Sequence, residues 1–321
     1  MQLAREELLK AYRGMCEIRE FEERVHIEFA AGGIPGFVHL YAGEEASAVG
    51  VMMHLNDKDC IASTHRGHGH CIAKGCDIKA MMKEIYGRKD GLCGGKGGSM
   101  HIADLKKGMM GANGIVGGGP PLVCGAALSA KNLKTGGVAV AFVGDGGSNQ
   151  GTTLESLNLS KVWNLPAIFV VEDNGYAEST ASSWSVAGDQ LKRAEAFGMP
   201  GRRVDGHDFF DVYDAASEAV ARARNGDGPS LIHVQTNRYY GHFEGDATTY
   251  RAADEVDKLR ADKDCLKLFR QRVTEAGLLE AKQLDEIEKQ ATALIDQAVA
   301  EAAAAPPPGE QDLLTDVYVT Y

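Results

Sequence analysis

Three stretches of the chain are rich in apolar residues and predict buried strands. Residues 137–143, 167–171 and 230–235 show this pattern, and each stretch ends in polar or glycine residues. Helical patterns at residues 153–163 and 209–224 lie between them. Strands that are apolar on both faces and alternate with helices are typical of parallel βαβ units. The pattern therefore predicts an α/β fold, with a doubly wound, mostly parallel sheet flanked by helices.

The N-terminal part of the chain predicts a helix followed by long loops. From residue 5 to residue 30, Leu8, Tyr12 and Met15 recur at helical spacing among charged residues. We assign residues 1–31 to a helical brace. The following stretch to Gly119 is dense in glycine and histidine. Apart from short helical patterns such as residues 78–86, it predicts long ordered loops of the kind that hold ligands.

The C-terminal part, residues 254–321, predicts charged helices and a docking tail. A run of prolines at 306–308 with Gly309 ends the helical pattern, and the apolar segment 312–321 follows. Such a segment has enough apolar side chains to pack against another surface. We assign the whole chain, residues 1–321, to one domain because its length suits a single large α/β unit.

Composition excludes several classes of protein. The formal net charge of -11 argues against a nucleic-acid partner, since no surplus of basic residues exists to contact phosphates. The longest apolar stretch, residues 138–143, is too short for a bilayer, and the charged N-terminus lacks the apolar core of a signal peptide. Seven cysteines without a CxxC pair favour a reducing compartment. We therefore expect a cytoplasmic protein without a membrane span.

Polar residues follow two of the predicted strands where ligands bind in such sheets. Asp145 lies between Gly144 and Gly146 after the first strand, and Asn174 follows the second. A carboxylate and an amide oxygen at neighbouring strand ends suit Mg²⁺, which also takes phosphate oxygens. Gly146 and Gly147 let the backbone approach phosphates, and the next helix directs its N-terminus toward them. The sequence predicts a metal and phosphate site here.

Other interpretations of these residues fit less well. A flexible strand-to-helix turn explains Gly144–Gly146 alone, but not the matching position of Asn174. A nicotinamide site would need a third glycine where the chain has Asn149. A zinc site built from His65, His68, His70, Cys71 and Cys76 lacks both CxxC and HExxH spacing. A regulatory phosphate-binding subunit would keep the glycines but would need no histidines around them.

The motifs together resemble those of a known family. The two strand ends are similar to the GDG…N signature of thiamin diphosphate enzymes, and five further motifs resemble α subunits of the 2-oxo acid dehydrogenase family in matching order. These motifs are FVHLYAGEEA at 37–46, HRGHG at 65–69, GKGGSMH at 95–101, GANGIVG at 111–117 and RYYGH at 238–242. The resemblance covers nearly the whole chain.

The resemblance implies a role for each matching residue. Mg²⁺ would be held by Asp145, Asn174 and the backbone carbonyl of Tyr176. Arg66, Gly146 and Gly147 would hold the diphosphate of thiamin diphosphate, Gly114 and Val116 would line its aminopyrimidine, and His65 would also contact the cofactor. His39, His68 and His242 would face the reacting end.

Details of the motifs favour one branch of this family. Pyruvate-type subunits have Tyr at the position of His65, and animal ones have a phosphorylatable Ser at that of Phe243. Residues 174–180, 239–246 and 312–319 instead resemble bacterial acetoin dehydrogenase α subunits. This implies cleavage of acetoin to acetaldehyde and a hydroxyethyl-cofactor intermediate, whose acetyl group passes to a lipoyl acyltransferase. The alternative is decarboxylation of pyruvate or a branched-chain 2-oxo acid.

The resemblance also implies that the active site is shared between two chains. In this family the Glu that activates the pyrimidine lies on a second domain, and nothing in this sequence resembles that domain. A β subunit would supply the Glu, and the usual assembly is α2β2. We therefore expect an acetoin-cleaving oxidoreductase whose small-molecule substrate binds at an interface between subunits.

Overall fold

The computed structural model describes residues 3–318 and 320, and it contains one principal parallel sheet. The predicted docking tail therefore includes two residues, Val319 and Tyr321, that lie outside the described residues, as do Met1 and Gln2 at the other end. The strands, in chain order, are β1 (Cys60–Ala62), β2 (Ala139–Gly144), β3 (Ala167–Asp173), β4 (Tyr176–Ala177), β5 (Thr180–Ala181), β6 (Gly201–Asp205) and β7 (Ser230–Gln235).

The main sheet has the order β1-β2-β3-β7-β6, and each of its neighbouring pairs is parallel. Strands β4 and β5 form a separate antiparallel pair. The helices are α1 (Arg5–Ala30), α2 (Glu45–Met52), α3 (His68–Lys74), α4 (Ile78–Ile85), α5 (Gly119–Leu133), α6 (Gly151–Val162), α7 (Ser182–Ser185), α8 (Gln190–Ala196), α9 (Phe209–Arg224), α10 (Glu255–Asp262), α11 (Cys265–Glu275) and α12 (Ala281–Ala304).

Both faces of the sheet are covered, because side chains of the central strands alternate between two apolar clusters. Val140 and Phe142 point into the larger cluster, together with residues of α1, α2, α9 and α12. Ala141 and Val143 point into the smaller one, with residues of α5, α6 and α8. A parallel sheet buried on both faces needs strands that are apolar throughout. The predicted doubly wound α/β fold is confirmed.

The terminal helices pack on each other across the larger cluster. Helix α1 buries Leu8, Tyr12 and Met15 and lies along α12. The Tyr12 hydroxyl donates to Glu288 of α12 over 2.5 Å, so polar contacts border the apolar seam. The amphipathic first helix was therefore predicted correctly, and its partner is the last long helix of the chain.

The region between Gly32 and Gly119 contains more regular structure than the sequence predicts. Helices α2 and α3 and strand β1 stand there beside the expected α4. Helix α2 is buried along its whole length, so it lacks the amphipathic pattern by which surface helices are recognised. Among the described residues, no helix is both long and apolar enough to cross a bilayer.

The C-terminal segment follows the pattern of the sequence up to the tail. Helix α12 ends at Ala304, directly before the prolines. Lys89 contacts Asp312 and Lys96 contacts the Thr315 carbonyl, which holds the tail against the chain. Leu313 and Leu314 remain 76% and 78% exposed. The docking role of this tail stays a prediction.

Candidate active site

The ends of two neighbouring strands bring the predicted metal ligands to one edge of the sheet. Asp145 follows β2 and Asn174 follows β3, and Gly144 lies opposite Glu172 in the parallel register. A cavity of about 400 Å³ opens beside this edge. It is lined by eleven of the twelve residues that the sequence singles out: His39, His65, Arg66, Gly114, Val116, Asp145, Gly146, Gly147, Asn174, Tyr176 and His242.

Asp145 has the properties of a metal ligand that is ready to bind. Its side chain is 2% exposed, and its Oδ2 atom has no hydrogen-bond partner among the described residues. Burial, together with the nearby Asp173 carboxylate, raises the pKa of Asp145 to about 6. A buried carboxylate oxygen without a partner is costly unless it is paired or coordinates a cation. The position therefore fits Mg²⁺.

The side chain of Asn174 is oriented by a residue that sequence analysis did not select. Its Nδ2 atom donates to Oε1 of Glu44 over 3.0 Å. Because the amide nitrogen is engaged in this way, Oδ1 is the atom left for a cation, with one long contact of 3.4 Å from the Tyr176 amide. Hydrogen bonds of this kind fix the orientation of metal ligands in many sites.

Gly146 and Gly147 allow close packing at the turn after β2. A Cβ atom on Gly146 would come within 2.6 Å of the Ala177 side chain, and one on Gly147 within 2.6 Å of Val143. Larger residues would push the turn away from its neighbours. A 3-10 turn at Gly147–Asn149 and then α6 follow directly, so backbone amides at the start of this helix lie near the cavity. The arrangement suits an anion such as a diphosphate.

Arg66 joins the two chain segments that form the far wall of the cavity. Its Nη1 atom donates to the Leu40 carbonyl over 2.5 Å, and its Nη2 atom donates to the His242 carbonyl over 2.9 Å. Burial lowers the pKa of the Arg66 guanidinium. The sequence predicts Arg66 as a phosphate ligand, whereas two of its donors here bind carbonyl groups. In this structure the two hydrogen bonds of Arg66 hold the backbone at His242 next to that at Leu40.

Three histidines converge at this end of the cavity. Ring nitrogens of His39, His65 and His242 all lie within 4.8 Å of one another. Burial and the Arg66 charge lower the pKa of His39 to about 3 and that of His242 to about 4, and they also lower the pKa of His65. Each ring is therefore neutral near pH 7 and offers one donor and one acceptor. A neutral hydroxyl or carbonyl group suits this cluster.

His68 is the one predicted site residue outside the cavity lining. It is fully buried, with Nδ1 3.1 Å from the Glu22 carboxylate of α1 and Nε2 2.8 Å from the Ser99 hydroxyl. His68 is the first residue of α3, and both of its ring nitrogens are occupied by Glu22 and Ser99, although its charge still acts on the His39 ring. The expectation that it faces the reacting end must be corrected: the structure places it behind the cavity wall.

The alternative zinc cluster is not assembled. His70 lies between Ser63, Tyr41 and Glu172, while Cys71 and Cys76 are buried in the larger apolar cluster. Within the part of the chain that the structure describes, His39, His65 and His242 are the single group with metal-ligand spacing. The guanidiniums of Arg66 and Arg238 lie near these three rings, which disfavours a cation there.

Two buried carboxylates in the cavity lining escaped the sequence analysis. Burial and the charge of Glu172 raise the pKa of Glu44 to about 8. Glu172 accepts hydrogen bonds from the Ser47 hydroxyl, over 2.6 Å, and from the Tyr41 hydroxyl. A signal was present for Glu172, since a charged residue at the end of an apolar strand needs a partner. Glu44 could be found only through its contact with Asn174.

Comparisons with known proteins identify the family of the chain. The chain belongs to the family described as the dehydrogenase E1 component, whose model matches residues 13–311. This family implies thiamin diphosphate as the cofactor, so the chain is part of a thiamin diphosphate-dependent oxidoreductase.

Relatives of two kinds match over almost the full chain. Subunit alpha of acetoin:2,6-dichlorophenolindophenol oxidoreductase is 64% identical in Cupriavidus necator, over 100% of this chain and 97% of that protein. The protein of the same name in Bacillus subtilis is 56% identical, over 100% and 96%. The pyruvate dehydrogenase E1 component subunit alpha of Rhizobium meliloti is 39% identical, over 98% and 91%.

Proposed function

We propose that this chain is the α subunit of an enzyme that cleaves acetoin with thiamin diphosphate and Mg²⁺. The observation that carries the proposal is the cluster of three neutral histidines beside the metal-binding edge, since their rings can donate to and accept from the hydroxyl and carbonyl groups of a hydroxyketone. Identity supports the same choice, being 64% and 56% to the two acetoin:dye oxidoreductase subunits against 39% to the pyruvate dehydrogenase subunit.

Asp145, Asn174 and the carbonyl of Tyr176 would hold Mg²⁺. The backbone at Gly146 and Gly147 would hold the diphosphate, and the remaining cofactor contacts would come from residues lining the same cavity: His65, Arg66, Gly114 and Val116. The unpartnered Oδ2 of Asp145 and the hydrogen bond from Asn174 to Glu44 support the metal assignment. When bound, the cofactor supplies an electron sink for breaking the bond next to a ketone.

His242 and His39 would bind and deprotonate the substrate. A neutral imidazole can accept the proton of the acetoin hydroxyl, after which the carbon–carbon bond breaks and acetaldehyde leaves. The unpartnered Nδ1 of buried His39 offers a second polar contact for an oxygen atom of the substrate. Since His68 lies behind the wall, we assign it no contact with substrate and give it the role of fixing Ser99 against α1.

A second chain would complete the site. The relatives are named as alpha subunits, which implies a β subunit. Ile115 and Val116, at the edge of the cavity, are 74% and 52% exposed. Apolar side chains at a cofactor site are usually covered, which supports a β subunit that supplies the pyrimidine-activating Glu in an α2β2 assembly. Transfer of the acetyl group to a lipoyl acyltransferase, or of electrons to an indophenol dye, would follow.

All seven cysteines are free, and five of them are buried in the two apolar clusters. This supports a reducing, cytoplasmic setting.

The test is to coexpress the chain with a β-type partner and to measure dye reduction with acetoin and with pyruvate. We expect acetoin to give the higher kcat/KM. A preference for pyruvate or a branched-chain 2-oxo acid would overturn the acetoin assignment in favour of the decarboxylating alternative.

A further inference from the structure

Four acidic residues line the cavity, and three of them already have a role or a partner. Asp145 is the proposed metal ligand. Glu44 accepts a hydrogen bond from Asn174, and Glu172 accepts hydrogen bonds from two buried hydroxyls. The fourth, Glu178, is exposed, and no donor among the described residues pairs with its carboxylate. An exposed carboxylate is negatively charged near pH 7, so Glu178 adds a negative charge to the cavity wall.

The backbone fixes the position of Glu178. This residue lies in the turn between β4 and β5, in the left-handed region with a φ of 56°. Its carbonyl accepts a hydrogen bond over 2.7 Å from Nη2 of the fully buried Arg238. A residue other than glycine is strained in this conformation and persists there only where neighbouring contacts hold it. The turn is therefore anchored, and it keeps Glu178 beside the cavity.

Positive charges at the same end of the cavity attract anions. The guanidiniums of Arg66 and Arg238 both act on the three clustered histidines, whose pKa values they help to lower. A 2-oxo acid carries a carboxylate next to its ketone, and arginine binds carboxylates well. Acetoin is neutral and gains nothing from these charges. Because Arg238 contacts the Glu178 carbonyl, the negative charge of Glu178 is carried by a residue beside that guanidinium and opposes the attraction.

We propose that Glu178 is a specificity-determining residue, whose carboxylate repels anionic substrates from the cavity and leaves it open to a neutral hydroxyketone. This inference rests on the proposed function, because it concerns the substrate of the same site. Repulsion between like charges weakens the binding of an anion and does not act on a neutral molecule of similar size. An unfavourable charge placed against the wrong ligand is a general route to specificity.

The experiment uses the assembled enzyme and compares pyruvate with acetoin. Glu178→Gln keeps the shape of the side chain and removes its charge. We expect the ratio of kcat/KM for pyruvate to kcat/KM for acetoin to rise about 3- to 10-fold at low ionic strength, the effect of one like charge in a partly solvated cavity. Glu178→Asp keeps the charge and should retain the ratio of the unmodified enzyme. Because salt screens exposed charges, added salt should raise this ratio in the unmodified enzyme and much less in Glu178→Gln.

Inhibition by unreactive molecules gives the same comparison. Lactate is an anion and 2,3-butanediol is neutral, and neither has a ketone that can react. The inhibition constant of lactate against acetoin should fall about 3- to 10-fold in Glu178→Gln. The inhibition constant of 2,3-butanediol should not change, because this molecule has no charge.

Glu286→Gln provides the matched control, because it removes one exposed negative charge on α12, outside the cavity lining. It should change neither the substrate ratio nor the inhibition by lactate. An unchanged ratio in Glu178→Gln, including equal changes for both substrates, would overturn the inference, as would the same rise in Glu178→Asp. A preference of the unmodified enzyme for pyruvate would instead overturn the proposed function, so the two failures are distinguishable.

Discussion

Replacing Asp145 by Asn should stabilise the cofactor-free chain while removing Mg²⁺ binding. Burial raises the pKa of this carboxyl from its usual 3.8 to about 6, so the ionised form costs free energy in the folded chain. A rise of about two pKa units corresponds to about 3 kcal/mol at 1.36 kcal/mol per unit. Asparagine has the same shape and carries no charge, so it should recover about 1–3 kcal/mol of unfolding free energy at pH 7.5 after relaxation of neighbours.

The stability gain expected for Asp145→Asn depends on pH. Because the folded-state pKa of Asp145 is raised, the penalty is absent below about pH 3.8, grows between pH 4 and 6, and is complete above pH 7. The stability gain of Asp145→Asn should therefore be largest at pH 7.5 and about half as large at pH 5. Urea unfolding of both chains without Mg²⁺, followed by circular dichroism, measures it. Equal stability at pH 7.5, or a gain that does not change with pH, would refute the reasoning.

Three further predictions concern the site. Glu44→Leu should weaken Mg²⁺ binding about 10- to 100-fold because Asn174 loses its orienting acceptor. Glu44→Gln can still accept that hydrogen bond and should bind Mg²⁺ nearly as well as the unmodified chain. Calorimetric titration compares the two variants, and equal affinity would contradict the orienting role. His242→Ala should retain thiamin diphosphate in calorimetry but lose turnover, and a matching loss of cofactor affinity would move His242 to the phosphate end. The isolated chain, saturated with Mg²⁺ and thiamin diphosphate, should release no acetaldehyde from acetoin; steady turnover would argue against a site shared with a second subunit.

The central sheet was predictable from sequence, but its edges were not. Strands β2, β3 and β7 are buried on both faces, so their apolar runs stand out. At the sheet edges, β1 has only three residues, and β6 buries only Val204 among its five. An edge strand has fewer neighbours to pack against, and its composition is therefore weakly constrained. The pattern of apolar residues therefore does not predict such edge strands.

The same distinction applies to the site. Asp145 and Asn174 were predicted to be neighbours because each follows a strand and parallel strands end at one edge. The direction of His68 was missed, since it depends on where α3 begins and on Glu22 of a distant helix. Glu44 was missed because its contact with Asn174 joins residues far apart in sequence. Local pattern fixes which residues reach the edge, while tertiary packing decides which way they face.

The pairing of the first and last long helices affects how the chain can be made. Helix α1 packs along α12, about 250 residues later in the sequence. During synthesis the apolar face of α1 therefore leaves the ribosome long before its partner exists. At about 5–20 residues per second, the interval is on the order of tens of seconds. Throughout that time the face with Leu8 and Met15 must be kept from other unfinished chains, so the architecture itself creates a demand for chaperones.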